Sequence, residues 1–220
     1  MNLFFEKVME ALLPGYPLRR KAYKRLIKNR HSYLYSTGWM QSLEKQKLMD
    51  GNGSPIPWMN FPVVKFLEEK LTRDLNLFEY GSGYSTCFYA DKVKSVVSVE
   101  HDEKWLKVIQ SEVPENVQFI FREKDIDGDY CRAIGSTGDR YDVVIVDGRD
   151  RRNCLKQSIT ALSPGGVILL DDTQREGFQE LIDFAIQNGF KTLNMEGLKA
   201  LSTEIERTTI LYREGNCLGI

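Results

Sequence analysis

Acidic residues closing short apolar runs, and one glycine-rich turn, are where this chain could do chemistry. Glu79-Tyr80-Gly81-Ser82-Gly83 breaks the apolar run that begins at Leu75. Gly81 and Gly83 allow a tight turn and a close approach of backbone to a ligand. Glu100 closes the run Val96, Val97, Val99. At the C-terminal end of a strand in a doubly wound sheet, a carboxylate can accept hydrogen bonds from the two ribose hydroxyls of a nucleoside. Asp147 closes Tyr141–Val146, and Asp171 and Asp172 close Gly166–Leu170. Carboxylates at neighbouring strand ends could position an acceptor, ligate a metal or act as a base. A carboxylate base for a hydroxyl would need its pKa raised by burial. Arg149, Arg151 and Arg152 follow Asp147 and could grip a carboxylate, phosphate or uronic acid through forked hydrogen bonds.

The elements that must position these groups alternate. Strands are expected at Leu75–Glu79, Ser95–Glu100, Val117–Arg122, Tyr141–Asp147, Gly166–Asp171, Lys191–Leu198 and Arg207–Tyr212. Helices fall at Phe61–Leu71, Ser85–Asp91, Glu103–Glu112, Asn153–Ala161 and Gly177–Asn188, with Ser82, Ser85 or Thr86 available to cap the second of these and Trp105 packing inside the third. Alternation of this kind means a parallel sheet with helices on both faces and right-handed crossovers. The last two strands are joined by a loop alone and should pair antiparallel.

Two cofactor classes use a strand, glycine turn, helix and acidic strand end. The dinucleotide fingerprint G-x-G-x-x-G/A fails here, because Thr86 occupies the third small position and Glu79 would repel a pyrophosphate. The segment Glu79 to Ser85 resembles motif I of the class I S-adenosylmethionine-dependent methyltransferases, (D/E)-x-G-x-G-x-(G/S). YDVVIVDG, ending in Asp147 and Gly148, resembles motif IV, and LSPGGVILLDD resembles the family's fifth-strand motif. The resemblance runs from about Trp58 to Arg213.

The resemblance implies an α/β fold: a doubly wound, mostly parallel seven-stranded sheet with a C-terminal antiparallel hairpin. It implies that Glu79, Tyr80, Gly81, Ser82, Gly83 and Ser85 hold the methionine end of S-adenosylmethionine, with the Glu79 charge suited to its ammonium. Glu100 would hold the ribose, His101 flank the adenine, and Asp125 with Ile126 meet the adenine amino group. Asp147 would border the cofactor and serve as the catalytic residue. Trp58 and Asn60, ahead of the first strand, sit where acceptor contacts arise, as do Arg149 and Arg152. Asp147, Asp171 and Asp172 also resemble the Mg²⁺ ligands of catechol-type O-methyltransferases, although an Asp-Asp pair replaces Asp-Asn; otherwise Asp171 and Asp172 pair with Arg149 or Arg152. The motifs resemble bacterial small-molecule and saccharide O-methyltransferases, so methyl transfer to oxygen of such an acceptor is the leading expectation. The rivals are a non-catalytic binding protein on the same fold and a nicotinamide-dependent oxidoreductase.

The 220 residues are 42% hydrophobic and 28% charged, ordinary for one globular domain with an extension. A net charge of −1 gives no overall pull toward nucleic acid. Four cysteines without C-x-x-C spacing suggest reduced thiols rather than a zinc site or a disulfide scaffold. No apolar run reaches the ~18 residues of a membrane span, and Glu6 and Glu10 argue against a secretory leader; a cytoplasmic protein is expected. Residues 1–50 read as a helical extension and 51–220 as the methyltransferase domain, divided at the Gly51–Pro55 loop. Within the extension, Phe4, Phe5, Val8, Met9, Leu12 and Leu13 recur at helical spacing. A basic run from Arg19 to Arg30 could be a solvated face, a peripheral membrane contact or a partner contact, including a second copy. Ser32–Gln46 should form another helix, with Trp39 and Leu43 inward.

Overall fold

The computed structural model describes residues 8–9 and 11–220. Phe4 and Phe5 of the expected first helix lie outside them. The chain divides into two compact units, Met1–Ser54 and Pro55–Ile220.

The first unit carries α1 (Tyr16–Leu26), α2 (Tyr33–Ser36) and α3 (Trp39–Lys45). Pro17 opens α1, where its missing N–H costs nothing, and Lys24 and Arg25 end it, where the helix dipole favours cations. The single helix expected over Ser32–Gln46 is instead two, because Gly38 takes a left-handed conformation between them. Ser42, not Leu43, is the buried residue of α3. Its hydroxyl donates to the Met49 carbonyl and accepts from the Met49 N–H, while Leu43 is exposed.

The second unit carries α4 (Phe61–Lys70), β1 (Asn76–Tyr80), α5 (Tyr84–Lys92), β2 (Ser95–Glu100), α6 (Glu103–Ile109), β3 (Val117–Phe121), α7 (Asp129–Ser136), β4 (Tyr141–Val146), α8 (Arg151–Ala161), β5 (Leu162–Leu170), α9 (Phe178–Gln187), β6 (Lys191–Gly197) and β7 (Glu206–Tyr212). The seven strands form one sheet in the order β3-β2-β1-β4-β5-β7-β6. β1 to β5 pair parallel, and β7 runs antiparallel to both β5 and β6. Leu77, Phe78, Val143, Val144, Ile145, Val146, Val167, Ile168, Leu169 and Leu170 are all buried, as continuous apolar runs in a sheet covered on both faces must be.

Two features depart from the expected elements. β5 starts at Leu162 rather than Gly166, since Leu162 pairs with Tyr141 before a register shift brings Val167 beside Val143. α7 was not expected; it buries Tyr130, Cys131, Ala133 and Ile134 in the same core as Cys154 and Leu155 of α8.

The order reverses between β1 and β4: the chain winds outward through β2 and β3, then returns across β1 to β4. Ligands in open α/β sheets bind at such a switch point, outside the carboxyl ends of the strands. The ends of β1, β2, β4 and β5, with Glu79, Glu100, Asp147, Asp171 and Asp172, therefore share one edge.

Candidate active site

The turn after β1 is built around a buried carboxylate. Glu79 is 1% exposed. Its Oε1 accepts from the Ser85 hydroxyl at 2.6 Å, and its Oε2 accepts from Thr86 at 2.6 Å and Ser98 at 2.8 Å. Burial pushes Glu79 up to about 7 against the opposing effect of these hydroxyls. The side chain expected to meet an ammonium directly is thus turned into the protein, where it holds the turn. Gly83 is the N-cap of α5, and Thr86 Oγ1 accepts its N–H at 3.0 Å. The residue that spoils the dinucleotide fingerprint therefore bridges the Glu79 carboxylate and the helix start, which Gly or Ala could not do.

Gly81 sits at φ 94°, and a Cβ there would lie 3.0 Å from the Gly148 Cα. A Cβ on Gly148 would fall 2.9 Å from the Tyr80 carbonyl and closer still to the Tyr130 hydroxyl. The turns after β1 and β4 touch, and only glycine lets them. Tyr80 offers backbone alone, because its ring is buried and its hydroxyl donates to the Cys131 carbonyl at 2.7 Å. Trp105 Nε1–H donates to the Ser82 carbonyl at 2.8 Å. That anchor from α6 was missed by the sequence reading, which took Trp105 as packing.

Glu100 is buried at the end of β2. Oε2 accepts the Ser82 N–H at 2.9 Å, and Oε1 accepts the His101 and Asp102 N–H groups at 2.7 and 2.8 Å. A carboxylate has about four acceptor sites, so this conformation leaves room for one further donor rather than two. His101 Nδ1 lies 2.8 Å from Glu100 Oε1 but makes no hydrogen bond, as that oxygen is already occupied by backbone donors. The His101 ring stands edge-on to Tyr130 at 6.1 Å. Asp125 accepts from the Asp129 and Tyr130 N–H groups and so caps α7, while the neighbouring Ile126 side chain is exposed.

Across the switch point, Arg151 organises the second half of the site. Asp150, in a left-handed conformation, turns the chain into α8 so that Arg151 points back over the strand ends. Its guanidinium donates to the carbonyls of Gly148, Asp147 and Asp171 and to Asp147 Oδ1 at 2.8 Å, and pairs with Asp172 Oδ2 at 3.0 Å. Asp147 Oδ2 accepts no hydrogen bond from a described residue. Asp172 also pairs with Lys199 at 3.1 Å and with Arg175. Thr208 donates to Asp171. Burial and the neighbouring Asp171 push Asp147 well up, and burial with Asp172 pushes Asp171 up to about 6. Burial would raise Asp172 too, but Arg151 and Lys199 outweigh it and hold that group below its usual value.

The outer residues divide. Arg149 is exposed. Arg152 is drawn aside by Glu180 at 2.9 Å. The expected pairing of Asp171 and Asp172 with Arg149 or Arg152 is not found: Asp172 pairs with Arg151, Arg175 and Lys199, while the Asp171 carboxylate accepts from Thr208. Trp58 is 51% exposed, with its Nε1–H on the Ala200 carbonyl at 2.9 Å and Lys199 Nζ 5.1 Å from its ring centre. Asn60, expected among the acceptor contacts, is fully buried: it caps α4 through the Val63 N–H and donates to the Met195 carbonyl and Thr208 Oγ1.

Asp147, Asp171 and Asp172 can bring one oxygen each within 4.8 Å of one another. The cationic positions among them are filled by Arg151 and Lys199, so a divalent ion would sit against a guanidinium and an ammonium. This donor set does not fit magnesium. The turn at Gly81, the remaining acceptor of Glu100 and the α5 N-terminus do fit an adenosyl amino acid: backbone can approach closely, and a hydroxyl donor has somewhere to bind.

A family model described as a methyltransferase domain, Methyltransf_24, matches residues 78–173. Solved structures of similar fold include a precorrin 8w decarboxylase from Methanobacterium thermoautotrophicum (15% identity, TM-score 0.56, 76% of this chain and 97% of that one). Others are precorrin-6y C5,15-methyltransferase from Geobacter metallireducens (15%, 0.51, 68% and 86%) and an rRNA methylase from Streptococcus thermophilus (15%, 0.51, 70% and 97%). At these identities the likeness is one of fold. Curated protein sequences give no match. The matched residues span the glycine turn and every acidic strand end described above, so the chain carries a methyltransferase domain over residues 78–173.

Proposed function

We propose that this enzyme methylates an oxygen of a small-molecule or saccharide acceptor, without a metal, at the ends of β4 and β5. The observation that carries this reading is the state of Asp147. One carboxylate oxygen is clamped by Arg151, the other has no partner among the described residues, and burial keeps its proton affinity high. Such a group can orient a hydroxyl and take its proton as the new C–O bond forms.

S-adenosylmethionine supplies an already electrophilic methyl group, so the protein's part is orientation, desolvation and proton removal. The Gly81–Gly83 backbone and the Ser82 and Ser85 side of the turn would hold the methionine end, Glu79 fixing that turn from beneath. Glu100 would take one ribose hydroxyl. His101, with Asp125 and Ile126 beyond it, would border the adenine. The half-exposed Trp58 ring offers an apolar platform for a sugar or aromatic acceptor, and Arg149 a cation for an acidic substituent. Arg152, held by Glu180, would join only after breaking that exposed pair.

The test is transfer of labelled methyl groups to a panel of hydroxyl acceptors, with and without chelator. Asp147→Asn should lower turnover by about 10²–10⁴-fold while binding S-adenosylhomocysteine within a few-fold of the parent. Activity that vanishes with chelator, or an Asp147→Asn enzyme of unchanged rate, would overturn the assignment.

A further inference from the structure

The near-zero net charge hides a sharp division. The first 54 residues carry ten Lys and Arg against four Asp and Glu, while the remaining 166 carry 20 against 27. Between residues 11 and 43 there are seven cations, Arg19, Arg20, Lys21, Lys24, Arg25, Lys28 and Arg30, and no acidic residue. The helix at the centre of this stretch, α1, buries none of its residues.

Its apolar side chains are ordered along it. Leu18, Ala22 and Leu26 recur every four residues, so they form one row on the helix surface. All three are exposed, Leu18 at 72%, and Leu12 just before the helix is at 70%. Lys21, Lys24, Arg25 and Lys28 follow the helical repeat along the flank of that row. Lys21, Lys24 and Arg25 have no ion-pair partner among the described residues. They line a depression of about 330 Å³ together with Pro17 and Arg20.

We propose that α1 is a peripheral docking surface for an anionic lipid bilayer. A helix lying in the membrane plane would place the Leu18–Leu26 row at the acyl boundary. The flanking lysines and arginines would then stand at headgroup level, with the basic depression receiving a lipid phosphate. The exposed leucines decide the occupant. A nucleic acid would satisfy the cations but offer the aliphatic row nothing to bury against. A second copy presenting the same helix would bring like charges together. An anionic bilayer meets both requirements at once.

The full chain should be sedimented with vesicles of phosphatidylcholine alone or with about one-third phosphatidylglycerol, at low and high salt. Binding is expected only to the mixed vesicles. Lys21→Ala/Lys24→Ala/Arg25→Ala should weaken it on the order of 100-fold, from the loss of three juxtamembrane cations. Leu18→Gln/Leu26→Gln should remove the part of binding that survives high salt. Both variants should retain parental affinity for S-adenosylhomocysteine, which shows that they are folded. Equal binding to neutral vesicles, or no effect of either variant, would overturn the proposal. So would duplex RNA binding that is indifferent to the leucine changes, or self-association without vesicles that the charge variant abolishes.

Discussion

Glu79 carries a measurable consequence of being a buried acid with only hydroxyl partners. Burial raises its pKa from the ordinary 4.5 to about 7. In the unfolded chain the same group loses its proton near 4.5, so between these values the native state binds more protons than the unfolded state. By linkage, folding stability falls as pH rises across that interval. The Glu79 contribution is fully present below about 4.5 and is lost as pH climbs through about 7. At 1.36 kcal/mol per unit, the whole span is worth roughly 3 kcal/mol.

Glu79→Gln isolates this quantity. Glutamine keeps the shape of the side chain, its carbonyl can accept from Ser85 or Thr86, and its amide can donate to Ser98. It cannot ionise. Urea unfolding of both proteins without ligand, between about pH 5 and pH 8, should show the variant gaining on the parent by up to roughly 3 kcal/mol as pH rises. Asp147 and Asp171 also titrate upward, but they are present in both proteins and cancel in the difference. A difference that is flat with pH, or that shrinks as pH rises, would refute the claim that Glu79 is a buried support of the turn with a raised pKa.

Two further substitutions test the frame of the site. Arg151→Met removes the partner of Asp147 and Asp172 while leaving Asp172 buried; with only 14% of the Arg151 side chain exposed, the loss should be about 3–5 kcal/mol in urea unfolding. A cost near zero would mean that the cluster rearranges freely. Gly81→Ala places a Cβ at φ 94° and 3.0 Å from the Gly148 Cα. It should cost about 1–2 kcal/mol of strain and weaken S-adenosylhomocysteine binding in calorimetry; unchanged affinity would show that the two turns need not touch.

The sheet was legible in the sequence because buried parallel strands are written as unbroken apolar runs, and the runs ending at Glu100 and Asp147 are bounded by charge or glycine. α7 was not, because DYCRAIGS is short, contains Gly135 and follows Asp-Gly turn signals, so its apolar stripe passes for a loop. The start of β5 was hidden by Pro164-Gly165-Gly166, which reads as a turn yet lies within the strand, between the Leu162 and Val167 pairings where the register shifts. Within the site, the acidic positions could be named from their strand ends, but not the direction in which each carboxylate faces. Glu79 turns inward because Ser85, Thr86 and Ser98 converge on it, a meeting that exists only once β2 lies beside β1. Of three neighbouring arginines, the left-handed Asp150 and the phase of α8 select Arg151, and neither is visible in RDRR. Lys199 comes from the connection between β6 and β7, far along the chain, with no motif around it.

Arg151 and Lys199 also supply the positive charge that three carboxylates at adjacent strand ends need, which is the basis of the proposed metal-free reaction. Three uncompensated acids so close would raise one another's pKa values until at least one stayed protonated. A divalent ion is one remedy. Here a guanidinium spans Asp147 and Asp172 and takes the carbonyls of Gly148, Asp147 and Asp171 as well, using its planar fork to fix the ends of β4 and β5 to each other. An ammonium could neutralise the charge but could not reach those acceptors in one plane, so lysine at position 151 would keep the charge balance and lose the geometry. The division of labour follows from the pKa directions. Asp172, held low by Arg151 and Lys199, anchors the cations, while Asp147, raised by burial and by Asp171, keeps the proton affinity that the proposed base for a hydroxyl requires.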